Sequence, residues 1–386
     1  MGSNDKTAFV KDRIEFLKKN GLYRSLRTVT GRGPTAIIDD RQVINLCSND
    51  YLGLSVNKQV IENTISSLYQ VSQCSSRLIA GNHPKISELE DLLASHRRTE
   101  SALVYPTGYT ANLGVLTALA DQRSTIYSDE LNHASIVDAC RLSRATIAVF
   151  RHNDTKHLEE LMKRDQGKKI VVTEGIFSME GDTGKLLEVQ REANKYDAIT
   201  IVDDAHGDFI LGPDFSGTPA KLGVNFDIHI SSMSKALGCF GGYVSSTSSM
   251  KELLINNSRQ FIYTSALPDH LCSAAISAVP IAKRGNLQKR LQSNSLYFSS
   301  AIKKLGFEIV SSSSHIIPIR IGKETEALDY SSELLREGIF VQAIRYPTVE
   351  KGQALLRVSV SSAHEREHLD YAVAAFERAG QRIGIL

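Results

Sequence analysis

Three side chains of different chemistry follow two successive apolar runs of this 386-residue chain. The run 198–202 leads into Asp203 and His206, and the run that begins at Ile228 leads to Lys235. Short runs rich in β-branched residues, with polar residues near the C-terminal end, are typical of strands buried on both faces of a parallel sheet. Because ligands bind outside the carboxyl ends of such strands, the pattern predicts that the three side chains converge at one edge.

An acid, an imidazole and an amine around one pocket suit a pyridine cofactor that carries an aldehyde. Pyridoxal phosphate (PLP) binds a lysine amine as a Schiff base, and it withdraws electrons only while its ring nitrogen is protonated. We therefore expect Lys235 to bind the cofactor and Asp203, by ion pairing, to keep the ring nitrogen charged. We expect His206 to hydrogen-bond the ring oxygen beside the aldehyde.

Two further segments and a strand end offer groups that a phosphorylated pyridine needs. Residues 106–112 lie between an apolar strand and an apolar helix, so the backbone N–H groups of Gly108 and Tyr109 can bind an anion at the helix N-terminus. The hydroxyl of Ser232, at the end of the second run, can bind a phosphate oxygen. His133 follows another predicted strand, where its ring can stack on the cofactor as a further catalytic group. Taken singly, the Gly108 segment is equally compatible with an ordinary turn before a helix, and a lone histidine at position 133 is more often an ordinary helix-start residue.

Composition and charge exclude several classes of protein. The chain has 45 Lys and Arg against 43 Asp and Glu, and a net charge of +2 provides no field that attracts nucleic acid or an anionic membrane. No apolar stretch approaches the roughly 18 residues of a spanning helix. The five cysteines are dispersed without a Cys-x-x-Cys pair, which is typical of reduced thiols in a cytoplasmic protein and predicts no metal site.

The order of predicted elements indicates an α/β fold with two domains behind an N-terminal arm. The arm, 1–55, contains an amphipathic helix and a hairpin. In the large domain, 56–284, helices and strands alternate, which predicts a mostly parallel central sheet with helices on both faces. The remaining residues, 285–386, are expected to form a smaller α+β domain with strands near 307–310 and 339–343 among its elements.

Six segments of the chain carry a family resemblance that covers nearly its whole length. They are residues 48–54, 75–81, 132–135, 173–182, 202–207 and 234–238. These segments resemble the α-oxoamine synthases. The resemblance implies the aspartate aminotransferase type of fold, known as fold type I of PLP enzymes, and a homodimer. It also implies that a small amino acid condenses with an acyl thioester on PLP, with release of carbon dioxide and a free thiol.

The resemblance implies roles around the cofactor and the amino acid. Lys235, displaced from the cofactor by the incoming amino acid, removes its α proton as general base. Ser178 assists His206 at the ring oxygen. Arg357 binds the amino acid carboxylate, a task suited to a planar two-pronged cation, and Asn49 lies nearby.

The same resemblance assigns groups to the acyl donor and to the neighbouring subunit. Arg24 and Thr348 contact the acyl donor, which is a thioester of CoA or of an acyl-carrier protein. Thr264 and Ser265 match the segment that reaches the phosphate in the neighbouring subunit, and this match predicts the dimer.

Two C-terminal segments narrow the expected substrates. Residues 343–349 and 357–361 resemble the members of the family that join L-alanine to a pimeloyl thioester in biotin synthesis. Gln73-Cys74 and Ala266 depart from the family pattern and leave the shape of the acyl channel open. A glycine acyltransferase that uses acetyl-CoA is the nearest alternative. An aminotransferase and a binding module without activity are more distant ones.

Overall fold

The structure, a computed structural model, describes residues 6–31, 33–311 and 314–386. Its strands in chain order are β1 (Val29–Thr30), β2 (Thr35–Ile38), β3 (Arg41–Asn45), β4 (Ser101–Tyr105), β5 (Ser124–Asp129), β6 (Thr146–Phe150), β7 (Lys168–Glu174), β8 (Ile199–Asp203), β9 (Ile228–Ser232), β10 (Gly242–Ser246), β11 (Ile316–Gly322), β12 (Ile339–Phe340), β13 (Gln342–Ile344) and β14 (Ala354–Ser359). Its helices are α1 (Ala8–Lys19), α2 (Lys58–Ser66), α3 (Pro84–Arg97), α4 (Gly108–Leu119), α5 (Ala134–Leu142), α6 (Thr155–Met162), α7 (Leu186–Lys195), α8 (Thr218–Leu222), α9 (Ser248–Asn257), α10 (Arg259–Ile262), α11 (Asp269–Ala282), α12 (Asn286–Lys304), α13 (Glu324–Arg336) and α14 (Arg366–Arg382).

The central sheet has seven strands in the order β4-β10-β9-β8-β7-β5-β6. Strand β10 runs antiparallel to both of its neighbours, and the other paired strands are parallel. Along β7, Ile170 and Val172 belong to one apolar layer and Val171 to the opposite one, because successive side chains of a strand point to opposite faces. The predicted mostly parallel sheet, covered on both faces, is confirmed.

Strand β10 is the one strand of this sheet that the sequence pattern does not predict. Its glycine and two serines are poor strand formers, so the segment resembles a loop. Pairing with β4 on one side and β9 on the other forms the strand nevertheless. A side chain at Gly242 would place its Cβ 2.3 Å from the backbone nitrogen of Gly108, so glycine allows β10 to begin directly beneath helix α4.

Two predicted strands of the small domain are corrected. The segment 339–343 divides into β12, which pairs in parallel with β3 of the arm, and β13, which pairs with β14. The segment 307–310 forms only an isolated bridge between Ile309 and Ile319. The neighbouring carbonyl of Pro318 accepts the N–H of Val310, but proline has no N–H to return, and a regular ladder does not form there.

The small domain and the arm each contribute a sheet. The small domain has the antiparallel sheet β11-β14-β13, and the arm has β1-β2-β3 with β12 at its edge. The chain divisions at 55/56 and 284/285 stay a prediction. None of the described helices has both the length and the apolar composition needed to cross a bilayer.

Candidate active site

The carboxyl ends of β8 and β9 bring Asp203, His206 and Lys235 to one edge of the sheet. The two strands are adjacent and parallel. The Nζ atom of Lys235 lies 2.9 Å from Nε2 of His206. The carboxylate of Asp203 accepts the backbone N–H of Ala205 at 3.0 Å and the side-chain amide of Asn112 at 2.7 Å. Two donors from different elements therefore hold this carboxylate in one orientation.

Burial changes the proton affinities of the groups around Lys235. Burial lowers the pKa of Lys235 and Arg357 lowers it further, whereas Asp203 and Glu174 act in the opposite direction. Burial also lowers the pKa of His206, and the charge of Lys235 adds to the effect. A lysine amine that loses its proton more easily is unprotonated in a larger fraction of molecules at neutral pH, and only the unprotonated amine acts as nucleophile or general base.

His133 caps helix α5 beside this cluster. Its Nδ1 atom lies 2.7 Å from the hydroxyl of Ser135, and its backbone N–H donates to Glu174 at 2.5 Å. The amide of Asn112 bonds both the Ser135 hydroxyl, at 3.0 Å, and Asp203. Burial lowers the pKa of His133. A neutral imidazole tied to the Asp203 carboxylate through two side chains is suited to cover a planar ring.

The first turn of α4 forms an open cradle of backbone N–H groups. Thr107 caps the helix in a capping box, while the N–H groups of Gly108 and Tyr109 have no hydrogen-bond acceptor in the part of the chain that the structure describes. A Cβ at Gly108 would lie 3.2 Å from Cβ of Ser232, and one at Gly242 would collide with the Gly108 nitrogen. Glycine at these two positions keeps the cradle open beside the Ser232 hydroxyl, as phosphate binding requires.

Arg357 on β14 joins the small domain to the edge of the sheet. Its Nε donates to the backbone carbonyl of Ser178 at 2.5 Å. Its Nη1 donates to the hydroxyl of Ser359 at 2.9 Å and to Oδ1 of Asn49 at 3.3 Å. The predicted pairing of Arg357 with Asn49 in space is therefore present.

Tyr51 links the arginine to the lysine, a role that the sequence interpretation missed. Its hydroxyl donates to Oδ1 of Asn49 at 3.0 Å and lies 2.7 Å from Nδ1 of His206. A continuous chain of hydrogen bonds therefore runs from Arg357 through Asn49, Tyr51 and His206 to Lys235.

Arg24 and Thr348 line the same cleft, which has a volume of about 610 Å³. Two residues that contact one acyl donor have to share a cleft in this way. Apolar side chains of the arm, of α13 and of β12 and β13 form much of the remaining wall: Leu26, Val29, Leu328, Leu335, Phe340 and Ile344. Met179 also lines the cleft, and it directly follows Ser178, whose carbonyl binds Arg357. One end of the cleft therefore lies beside Arg357.

Thr264 and Ser265 lie apart from the Lys235 cluster. Ser265 is exposed and forms a bridge with Ser76, and the N–H of Ala266 donates to the carbonyl of Ser75 at 2.9 Å. No hydrogen bond joins either residue to Lys235 within the described residues. Their role toward a neighbouring subunit stays a prediction, as do the roles of Ser178 and the other site residues.

The segment 178–182 forms the turn that carries Ser178. His152, which pairs with two carboxylates, holds this turn in place. Nδ1 of His152 lies 2.9 Å from Asp129, and its Nε2 lies 2.9 Å from Asp182 at the end of the turn. Burial alone would lower the pKa of His152, but the hydrogen bonds with both carboxylates outweigh it and raise the pKa to about 10. The charged imidazole thus ties the turn to the sheet at neutral pH.

We expect His152→Gln to remove a stabilisation that depends on pH. Because the folded-state pKa lies above the unfolded value of about 6.5, the ion pairs stabilise fully below pH 6.5, and the effect disappears as the pH rises through about 10. The variant should lose about 1–3 kcal/mol of unfolding free energy at pH 7 and much less at pH 10.5. Urea titrations of both proteins at the two pH values measure the difference, and a pH-independent difference would contradict the assignment.

Several further residues of the site have a signal in the sequence. Tyr51 lies within the resembling segment 48–54, and Glu174 is an acid at the end of a buried strand, like Asp203. Asn112 lies one helical turn after Gly108 and therefore on the same face of α4. His315, at the start of β11, had no motif to distinguish it.

The groups at this edge fit PLP by their chemistry. They comprise an amine whose pKa is lowered, a carboxylate held by two donors, a neutral imidazole and an anion cradle that two glycines keep open. In the described part of the chain, the cradle N–H groups have no other acceptor. A ligand with an aldehyde, a protonated ring nitrogen and a phosphate satisfies each of these groups.

Comparison with known proteins agrees with this chemistry. A family model described as aminotransferase class I and II matches residues 41–376. The curated 8-amino-7-oxononanoate synthase of Thermoanaerobacter pseudethanolicus is 41% identical over 395 aligned residues, which cover 100% of both chains.

Solved structures show the same fold over the whole chain. A serine palmitoyltransferase variant from S. paucimobilis, with PLP and myriocin bound, has a TM-score of 0.93 and 27% identity over 100% of both chains. An 8-amino-7-oxononanoate synthase from Francisella tularensis has a TM-score of 0.76 and 26% identity, over 88% of this chain and 98% of that one. The chain therefore belongs to the aminotransferase class I and II family and, within it, to the PLP-dependent α-oxoamine synthases.

Proposed function

We propose that this enzyme condenses L-alanine with a pimeloyl thioester to form 8-amino-7-oxononanoate, carbon dioxide and free thiol in biotin synthesis. The observation that carries the proposal is the continuity between Arg357 and the cleft of about 610 Å³, through Ser178 and Met179. An amino acid held at the arginine and an acyl chain held in the cleft have their reacting carbons near the same lysine. The name of the full-length relative from T. pseudethanolicus supports this substrate pair.

The residues of the site divide the work of the reaction. When bound, PLP would supply the electron sink that removal of the amino acid α proton requires. Lys235 holds the cofactor and then takes the α proton, for which its lowered pKa suits it. Asp203 would keep the ring nitrogen protonated, His206 with Ser178 would bond the ring oxygen, and His133 would cover the ring.

The amino acid and the acyl donor are bound by the small domain and the arm. Arg357, with Asn49 nearby, binds the amino acid carboxylate in two-pronged fashion. Arg24 and Thr348 contact the thioester, whose acyl chain the apolar wall of the cleft shields from water. Holding both reactants together removes much of the entropic barrier to forming the carbon–carbon bond.

A panel of substrates tests the function. Holoenzyme is incubated with alanine, glycine or serine against acetyl, pimeloyl and palmitoyl thioesters, and free thiol is measured. We expect the highest rate with alanine and the pimeloyl thioester. Release only with glycine and acetyl-CoA would identify the nearest alternative, and release only with serine and palmitoyl-CoA would match the name of the S. paucimobilis structure. Amino transfer without thiol release would identify an aminotransferase.

The proposed enzyme is a homodimer in which Thr264 and Ser265 reach the phosphate of the partner. Ser75 and Ser76 contact Ala266 and Ser265, and the segment 65–79 around them carries apolar side chains that are mostly exposed: Ile65, Tyr69, Val71 and Ile79. Exposed apolar side chains grouped beside the phosphate-reaching segment suit the contact between two copies. We also propose a cytoplasmic location, in keeping with the dispersed cysteines.

Mixing two inactive variants tests the shared site. Lys235→Ala and the double variant Thr264→Ala with Ser265→Ala are co-refolded or co-expressed. A hybrid dimer then contains one site with an intact lysine and intact partner hydroxyls, so we expect recovery of up to about a quarter of wild-type activity. No recovery in a mixture shown to contain hybrids would exclude the sharing of sites.

A further inference from the structure

His315 is a buried residue of the site that the proposed mechanism does not use. It lies immediately before β11, and its ring packs edge-on against Tyr51 with 4.0 Å between ring centroids. The Tyr51 hydroxyl contacts both Asn49 and His206, so His315 belongs to the cluster that joins Arg357 to Lys235.

One nitrogen of this imidazole has an unmet hydrogen-bonding requirement. The Nε2 atom of His315 is buried and has no hydrogen-bond partner among the described residues. Buried polar atoms are nearly always paired, because leaving one unpaired forfeits its hydration without compensation. In the same cluster, Oδ1 of Asn49, the hydroxyl of Tyr51 and two nitrogens of Arg357 are hydrogen-bonded. The unpaired nitrogen is therefore available to a ligand.

The surroundings of His315 select an anion as that ligand. Strand pairing sets Ile316, the next residue, opposite Ser359, whose hydroxyl binds Arg357 at 2.9 Å. Burial, followed by the charges of Arg357 and Lys235, lowers the pKa of His315 to about 3. The imidazole is neutral at working pH and can donate through Nε2. The cations beside it favour a negatively charged acceptor.

We propose that His315 binds the carboxylate of the amino acid substrate through Nε2, next to Arg357. This inference rests on the proposed function, because it assigns a second contact to the amino acid that Arg357 is proposed to hold. A neutral donor adds orientation to the charge supplied by the guanidinium, since His315 precedes β11 whereas Arg357 lies on β14.

Three substitutions separate this role from simple packing. His315→Phe keeps a ring against Tyr51 and removes the donor. His315→Gln offers an amide N–H near the position of Nε2, and His315→Asn offers one near Nδ1. For each holoenzyme, L-alanine is titrated while the visible absorbance of the bound cofactor is followed, and ethylamine, which has the amine without the carboxylate, is titrated in parallel. KM values for alanine and for the pimeloyl thioester are measured separately.

We expect His315→Phe and His315→Asn to weaken alanine binding about tenfold or more, as loss of a hydrogen bond to a charged group does. His315→Gln should recover most of the affinity, while the affinity for ethylamine and the KM for the thioester change less than twofold. Unchanged alanine binding in His315→Phe, an equal loss for ethylamine, or no recovery in His315→Gln would overturn the inference. Absence of alanine binding by the wild-type holoenzyme would instead overturn the proposed function. If the phenylalanine variant does not fold, the comparison of the Gln and Asn variants decides.

Discussion

Replacing Lys235 by alanine is expected to abolish turnover and covalent binding of PLP. Its Nζ lies 2.9 Å from His206, and no other lysine amine shares the hydrogen-bonded cluster that the described residues form at this edge. Loss of both the group that attaches the cofactor and the general base should reduce the rate by a factor of at least about 10³.

The visible spectrum distinguishes this loss from unfolding. The purified Lys235→Ala protein should lack the absorbance of lysine-bound PLP after incubation with the cofactor, while its far-ultraviolet circular dichroism matches the wild type. A matched control is Lys58→Ala, which removes a largely exposed lysine side chain that is distant from Lys235 in the sequence. An unchanged visible spectrum in Lys235→Ala would refute the assignment of the lysine.

Asp203→Asn is expected to preserve the cofactor link and remove most of the activity. The amide is nearly isosteric, and its oxygen can still accept a hydrogen bond from Asn112, so the local structure should persist. A neutral side chain no longer stabilises the protonated ring nitrogen, and the electron sink weakens. We expect turnover to fall by about 10²–10³, a range typical for loss of one preorganised electrostatic contact.

Two measurements check this prediction together. The absorbance of bound PLP reports whether Lys235 still attaches the cofactor, and thiol release with alanine and the pimeloyl thioester reports turnover. Asp121→Asn, which changes a half-exposed carboxylate on a loop, is the control for removal of one negative charge. Wild-type turnover in Asp203→Asn would show that this carboxylate does not serve the ring nitrogen.

The local pattern of the chain predicted much of the large domain and the centre of the site. Asp203 and Lys235 follow short β-branched runs, and Gly108 begins an apolar helix after another strand. These signals are local. The side chains of a strand alternate between its two faces, and a buried strand ends at polar residues, so both features can be recognised from residues that are neighbours in the sequence. The positions of such residues at one sheet edge then follow from parallel pairing.

Strand β10 and the segment 339–344 show where local pattern is insufficient. The glycine and serine residues of β10 have little strand propensity, and their conformation comes from ladders with β4 and β9. The apolar run near residue 340 predicts one strand. In the structure its first half, β12, pairs with the sheet of the arm, and its second half, β13, pairs with the sheet of the small domain. In both cases the partner strands, far away in sequence, decide the outcome.

The sequence alone determined which residue types could perform PLP chemistry and which strand and helix ends carry them. Tertiary structure alone decided that Tyr51 meets His206 across 155 positions of the chain, and it set the hydrogen bond by which Arg357 meets Asn49 across 308. It also left Nε2 of His315 buried beside these groups without a partner in the described chain. Spacing along the chain encodes helices and strands, whereas contacts between distant segments depend on how complete elements pack, which no local spacing specifies.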